Sequence, residues 1–433
     1  MTVIDPNPSS ALSLNRLPRD LIRDIASHLD HKSLVRAYAT SRHMRDALQD
    51  PLRIRELRQC VMDSVAQGHK CEDLTTLPHW YAAINPAKPW EDQPIKTAIE
   101  SGRWRQAVWL MDHGACVKAT RDTAGQGPLH WLVQSRDRLP TEAFRHLIQV
   151  VTSKGGIIDQ RDARGRTPLF MSLEKRQEER SQRLLEAGAD PALCDGLGAS
   201  GLHLAARMSL PLLRQCFQKS PASLNQQDKE GMTPLHTALQ VRQYHNAEFL
   251  LRMGANLWLK NFRGEAPAHI MARHGNLGLI LQRAPDPLEL NNVNERGQSV
   301  VHLAIEGGIE EEPFRELLEL GADVCLKDHE GQTPLTLVAS QESFTNNQQA
   351  RSIQLIELLV AKGAPIDGRD DQGMTPLHWA ARRGQEPLVE KLLALGADPS
   401  LERGGKTYQD FLEIFWQESP YMRSFMGPGP LWY

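Results

Sequence analysis

DKEGMTPLHTALQ (Asp228–Gln240) and, after a short polar break, FLLRMGANLW (Phe249–Trp258) decide the reading of this 433-residue chain. Thr233 ahead of Pro234 is a helix start: the threonine hydroxyl caps an orphan backbone N–H, and proline at the first helical position gives up an N–H that had no partner. Leu235, Ala238 and Leu239 then line one face. The run ending in Leu250 and Leu251 predicts a second helix, stopped at Gly254. Neither helix can hide its apolar stripe alone, so the pair must stack on copies of itself.

The copies are there. GPLHWLV begins at Gly127, TPLFMSL at Thr167, SGLHLAA at Ser200, APAHIMA at Ala266, SVVHLAI at Ser299, TPLTLVA at Thr333 and TPLHWAA at Thr375. Their second residues, with Pro234, are spaced by 40, 33, 33, 33, 33, 34 and 42, and a degenerate copy, QPIKTAI, places Pro94 a further 34 upstream. Most units close on a Gly-Ala turn, as in LLEAGAD (184–190) and LLELGAD (317–323). QKSPASLN (218–225) and RAPDPLEL (283–290) replace that turn. GGKTYQDFL from Gly404 is a last half-unit with Thr407 in the cap position, expected to close the array. The two long steps mark insertions, RDRLPT (136–141) and QESFTNNQQARS (341–352), placed between the two helices of their units as a surface loop or a partner contact.

A 33-residue unit opening T-P-L-H-x-A and closing G-A-D resembles the ankyrin repeat. The resemblance runs over 91–415 and implies an all-α solenoid of about nine repeats. The N-terminus is different. Leu-Pro followed by Leu21, Ile22, Ile25 and Leu29 at helical spacing, then Leu34, Ala37 and Tyr38, then Met44 and Leu48, predicts three short helices too small to fold around a core of their own. This segment, 12–50, resembles an F-box through Leu14, Leu17, Pro18, Leu21, Ile22, Ile25, Leu29, Leu34, Ser41, Arg42, Arg45 and Leu48, and departs from it at Asp20 and Met44. The resemblance implies docking on the Skp-type linker subunit of an SCF (Skp, cullin, F-box) ubiquitin ligase, with Leu17, Pro18, Leu21, Ile22, Ile25, Leu34, Met44 and Arg45 at the interface. An F-box-like start ahead of ankyrin repeats is an arrangement familiar from fungal proteins. Residues 51–90, with Trp80, Tyr81 and Trp90, read as a helical adapter covering the first repeat; 416–433 form a tail.

Charge and cysteine usage narrow the function. Fifty Lys+Arg against 53 Asp+Glu leave a formal charge of −3, no field for nucleic acid or an anionic membrane. Six scattered cysteines without a C-x-x-C pair indicate neither a zinc cluster nor a disulfide framework, and no run of 18 apolar residues occurs. The expectation is a soluble intracellular protein, cytoplasmic or nuclear, needing no cofactor or metal.

His130, His203, His236, His269, His302 and His378 recur once per unit, too far apart to converge on one ion. The ankyrin resemblance implies instead that they tie adjacent turns by hydrogen bonds. Gly404-Gly405-Lys406-Thr407 lacks the earlier glycine of a phosphate loop, since Ser400 stands there. Trp131 and Trp379, after the motif histidine, are read as packing. Trp258, Phe262 and Arg263 are the aromatic and arginine cluster of the inter-repeat fingers, whose other tips carry mixed charge: Arg161, Asp162 and Arg164; Asp228, Lys229 and Glu230; Glu295 and Arg296; Asp328 and His329; Arg369, Asp370 and Asp371. The cluster is either an anchor for a target protein or packing on the neighbouring finger. The expected function is a non-catalytic substrate receptor of an SCF-type ligase, a monomer within a hetero-complex. The alternative is an ankyrin scaffold, such as a transcription coregulator, without ligase association.

Overall fold

The computed structural model describes residues 58–59, 61–62, 85, 93–118, 120–135, 139–282, 287–342 and 345–418. The F-box-like segment, with Leu17, Pro18, Leu21, Ile22, Ile25, Leu34, Met44 and Arg45, lies outside the described residues, as do Trp80, Tyr81 and Trp90. The chain divides into two compact units, Met1–Ser223 and Leu224–Tyr433. Both are helical, without strands among the described residues.

In the first unit the helices come in pairs: α1 (Pro94–Glu100) with α2 (Trp104–Asp112), α3 (Pro128–Gln134) with α4 (Thr141–Ser153), α5 (Pro168–Glu174) with α6 (Glu178–Glu186), and α7 (Gly201–Ala205) with α8 (Leu210–Lys219). The first members stack in a row, α1 on α3, α3 on α5 and α5 on α7. The second members form a parallel row, α2 to α8. The sequence of α5 shows why the row forms: Pro168, Leu169, Phe170, Met171, Ser172 and Leu173 are all buried, because this helix has neighbours on both sides as well as its own partner.

The second unit continues the rule with α9 (Pro234–Gln240) and α10 (Tyr244–Arg252), then α11 (Pro267–Arg273), whose partner is broken into α12 (Gly278–Leu281) and α13 (Pro287–Leu290). There follow α14 (Val300–Glu306) with α15 (Glu311–Glu319), α16 (Pro334–Ser340) with α17 (Asn346–Ala361), and α18 (Pro376–Arg382) with α19 (Glu386–Ala394). The last helix, α20 (Tyr408–Glu418), packs on α18 where a further repeat would begin. Nine helix pairs and a capping helix are thus present among the described residues. Thr407 serves the cap as expected: its N–H and Oγ–H both go to Asp410 Oδ2, at 2.7 and 2.9 Å. Phe411 meets His378 edge-on, and the ring of Phe415 fills the space a side chain at Gly384 would need.

Of the first insertion, 136–138 lie outside the described residues and Thr141 begins α4, which runs to 13 residues against 9 in α6. The second insertion is mainly helix: Asn346–Ser352 begins the 16-residue α17, started by a reciprocal box in which Thr345 Oγ1 accepts from Gln348 N–H and Gln348 Oε1 accepts from Thr345 N–H. Where QKSPASLN replaces a Gly-Ala turn, Pro221–Asn225 forms a 3-10 helix.

Candidate protein-binding surface

Between one helix pair and the next, the chain makes a hairpin finger built on one acidic or amide side chain. Oδ1 of Asp122, Asp162, Asp195, Asp228, Asn261, Asn294, Asp328 and Asp370 accepts the N–H two residues on and the N–H four residues on, all at 2.8–3.0 Å. These groups organise the turn and do not project from it; Asp162, Asn261 and Asp370 are buried. Of the charged tip residues these carboxylates turn into the hairpin, while Lys229, Glu230, Glu295 and Arg296 stay exposed. The second oxygen is used as well. Trp131 Nε1 donates to Asp122 Oδ2 at 3.0 Å and Trp379 Nε1 to Asp370 Oδ2 at 2.7 Å, so both tryptophans pack and lock their fingers. Burial pushes the Asp122 carboxyl up, but Lys96, the Gln126 N–H and Trp131 together hold it below its ordinary value.

Neighbouring fingers are joined by main-chain bonds: Ala163 N–H to Ala124 O, Gly196 to Arg164, Phe262 to Glu230, Glu295 to Arg263, His329 to Arg296 and Asp371 to Glu330. This close approach needs Gly231, whose φ is 75° and where a Cβ would stand only 2.7 Å from the Phe262 nitrogen.

Four motif histidines, His130, His236, His269 and His302, tie the fingers to the helices. Nδ1 of His236 accepts Thr233 N–H at 3.1 Å and lies 2.8 Å from Thr233 Oγ1. The proton is therefore on Nε2, which donates to Glu265 O at 3.0 Å, in the next finger. His130, His269 and His302 reach Arg166 O, Asn292 O and Gln332 O in the same way. Burial, the largest influence, holds all three below the ordinary imidazole value.

Along the inner helices, four pairs bridge the finger's last residue to the helix end: Gln126 with Gln134, Arg166 with Glu174, Glu265 with Arg273 and Gln298 with Glu306, at 2.5–2.7 Å. This wall is polar and already satisfied by internal partners. Apolar tip residues stand apart from it: Phe262 is 70% exposed and Leu197 67% exposed. Phe262 and Arg263 lie side by side at their tip, both exposed, while Trp258 is half-buried at the finger's base. The cluster read as one anchor is therefore a tip and a root.

Trp258 stands in a position with a rule of its own. At the matching places Asp159, Asn225, Asn291 and Asp367 each accept, at 2.8–3.1 Å, the N–H of the residue after the next Gly-Ala or its equivalent: Asp190, Asn256, Asp323 and Asp398. After Trp258 the next outer helix is the broken α12/α13, which offers no such turn. Its indole Nε1 is buried without a hydrogen-bond partner. Ala192 and Cys325 stand at the same place in their own fingers, so a missing Asp or Asn does not by itself single out Trp258.

A protein-family model for ankyrin repeats matches residues 180–261 and 314–403, and one for F-box-like segments matches 14–57. The probable 26S proteasome regulatory subunit p28 of Saccharomyces cerevisiae is 32% identical over 189 residues, 41% of this chain and 78% of that protein. The chain belongs to the ankyrin-repeat family. This ankyrin-repeat protein is also 30% identical to the chicken nuclear factor NF-kappa-B p105 subunit over 49% of its own length, a stretch that spans only 22% of that relative. The solved ankyrin domain of Bcl-3, of the IkappaB family, aligns with 55% of the chain at 25% identity and a TM-score of 0.42. Ankyrin repeats and F-box-like segments are interaction modules, and the family assignment makes this an F-box/ankyrin protein. No helix among the described residues is long and apolar enough to cross a membrane.

Proposed function

We propose that this chain is a non-catalytic substrate receptor of an SCF-type ubiquitin ligase, acting in the cytoplasm or nucleus. The F-box-like segment docks the Skp-type linker through Leu17, Pro18, Leu21, Ile22, Ile25, Leu34, Met44 and Arg45. The ankyrin fingers hold the target, with Phe262 and Arg263 as the presented anchor and Trp258 as its root. The observation that carries this reading is the pairing of an F-box-like segment with an ankyrin array whose exposed tip aromatic, Phe262, has no structural task comparable to that of Trp131 or Trp379. Its rate effect is positioning alone: a target held beside a ubiquitin-loaded enzyme reacts as a tethered group.

Likeness to the p105 subunit favours a second reading, an ankyrin scaffold without ligase association. One experiment separates them. Leu17→Ala, Pro18→Ala and Ile25→Ala together should abolish linker and cullin co-purification and leave the helical signal of the repeats intact, since each buried aliphatic is worth about 1.5–3 kcal/mol. Phe262→Ala with Trp258→Ala should instead weaken target capture by about 2 kcal/mol and leave linker binding unchanged. Undiminished linker binding in the triple variant removes the ligase reading; unchanged partners in a stable double variant move the target site to another face.

A further inference from the structure

In the unit Leu224–Tyr433, the side chain just ahead of the turn-forming Asp or Asn staples one finger to the next at four places. Gln227 Nε2 donates to Lys260 O at 2.9 Å, Lys260 Nζ to Val293 O at 2.8 Å and Lys327 Nζ to Arg369 O at 2.8 Å. Arg369 Nη1 reaches Glu402 O in the same sense, at 3.1 Å. Since Gln227 does this as well as a cation, the fold needs a donor at this position and not a charge.

Yet three of the four carry one. Lys327 and Arg369 are exposed and Lys260 is half-buried, and none of them makes an ion pair among the described residues. A carbonyl accepts a hydrogen bond without cancelling a full charge. On the outer helices of the same unit, by contrast, Arg252, Arg315 and Lys391 hold Glu248, Glu311 and Glu357. Exposed Glu295, Glu330 and Asp371 stand one or two residues past the turn-forming Asp or Asn, so the positive points are separate and not one continuous field. That favours a chain with acidic groups at intervals over a uniform polyanion such as nucleic acid. Fingers succeed one another at roughly the 8–10 Å of packed helices, about three residues of extended chain at ~3.3 Å each. Lys327 and Arg369 lie on successive fingers, and Lys260 lies two fingers before Lys327.

We propose that these fingers bind an extended acidic peptide segment, whose carboxylates, about six and then about three residues apart, meet Lys260, Lys327 and Arg369 in turn. Calling that segment part of a captured target rests on the receptor reading; binding of the segment itself does not. The test is fluorescence anisotropy of a labelled peptide repeating Glu-Gly-Ser, added to the full chain at low and then physiological ionic strength. Saturable binding that weakens with salt is the expected result, and the Lys-Gly-Ser counterpart should not bind. Lys260→Gln, Lys327→Gln and Arg369→Gln together should weaken binding about tenfold or more. Thermal unfolding should stay in place, because glutamine keeps the staple as Gln227 does. Arg369→Gln alone, at an exposed side chain, should show part of the loss in a variant whose fold is not at risk. Arg252→Gln, Arg315→Gln and Lys391→Gln remove the same charge from the outer helices and should change little. No saturable binding by the unmodified chain, undiminished binding in the finger variants, or an equal loss in the outer-helix variant overturns the proposal. So does tighter binding of a single-stranded DNA of equal charge, which would assign the face to nucleic acid. Linker docking and capture by Phe262 are measured without this peptide, so their failure and this one are told apart.

Discussion

At the residue scale, the repeat histidine does two jobs with two nitrogens. In His236, Nδ1 holds the start of α9 and Nε2–H holds the next finger. His236→Ala leaves buried main-chain groups unpaired on both sides, each costing about 1–3 kcal/mol, and should lower stability in urea unfolding accordingly. The protein contains its own control: at Thr333 the motif position is Thr336, whose hydroxyl takes the cap N–H at 2.6 Å but is too short to be a second histidine. His236→Thr should therefore cost less than His236→Ala, and equal losses would show that the cap contributes nothing. Acidity probes the same groups. The folded values of His130, His269 and His302 lie below that of an unfolded histidine, so the unfolded chain binds protons the native state refuses. Stability is then full above about pH 6.5 and falls as pH drops below it, by up to about 1.4 kcal/mol per pH unit for each histidine. A urea midpoint that stays level down to about pH 4.5, where carboxylates titrate, would contradict this.

At the element scale, what ends each helix matters as much as what starts it. Four inner helices, α1, α11, α14 and α18, are followed by a left-handed glycine, but α5 and α9 by Arg176 and Arg242, at φ 55° and 58°. Arg176→Gly should stabilise the first unit by about 1 kcal/mol, the relief of that strain less the added freedom of the unfolded chain. Thermal unfolding reads it directly, and a loss of stability would mean the Arg176 side chain holds a contact worth more than its backbone strain. Repeat logic also explains the insertion at 341–352. Extra residues ahead of an outer helix extend it when they carry a capping pair, as Thr345 and Gln348 do, so the segment lengthens α17 more than it loops out.

At the scale of the whole molecule, each repeat leans on its neighbours. Leu235 is fully buried in α9, which packs on α10 and α11. Leu235→Ala should cost about 2–5 kcal/mol. Since contacts in such an array are nearest-neighbour, the loss should concentrate in the unit that begins at Leu224 and separate its unfolding from that of the first unit. Hydrogen exchange resolved along the chain measures this; protection lost uniformly from both units would contradict it.

Sequence alone determined the period, the Thr-Pro helix starts, the Gly stops, the buried face of every inner helix and the structural use of the histidines. These follow from interactions within one repeat or with its next copy, so they are written in local spacing. It also carried the F-box resemblance at 14–57. Tertiary structure decided what spacing cannot hold: that Trp258 and Phe262 occupy a root and a tip. Exposure at those positions depends on the neighbouring fingers, whose approach is fixed only when the repeats stack.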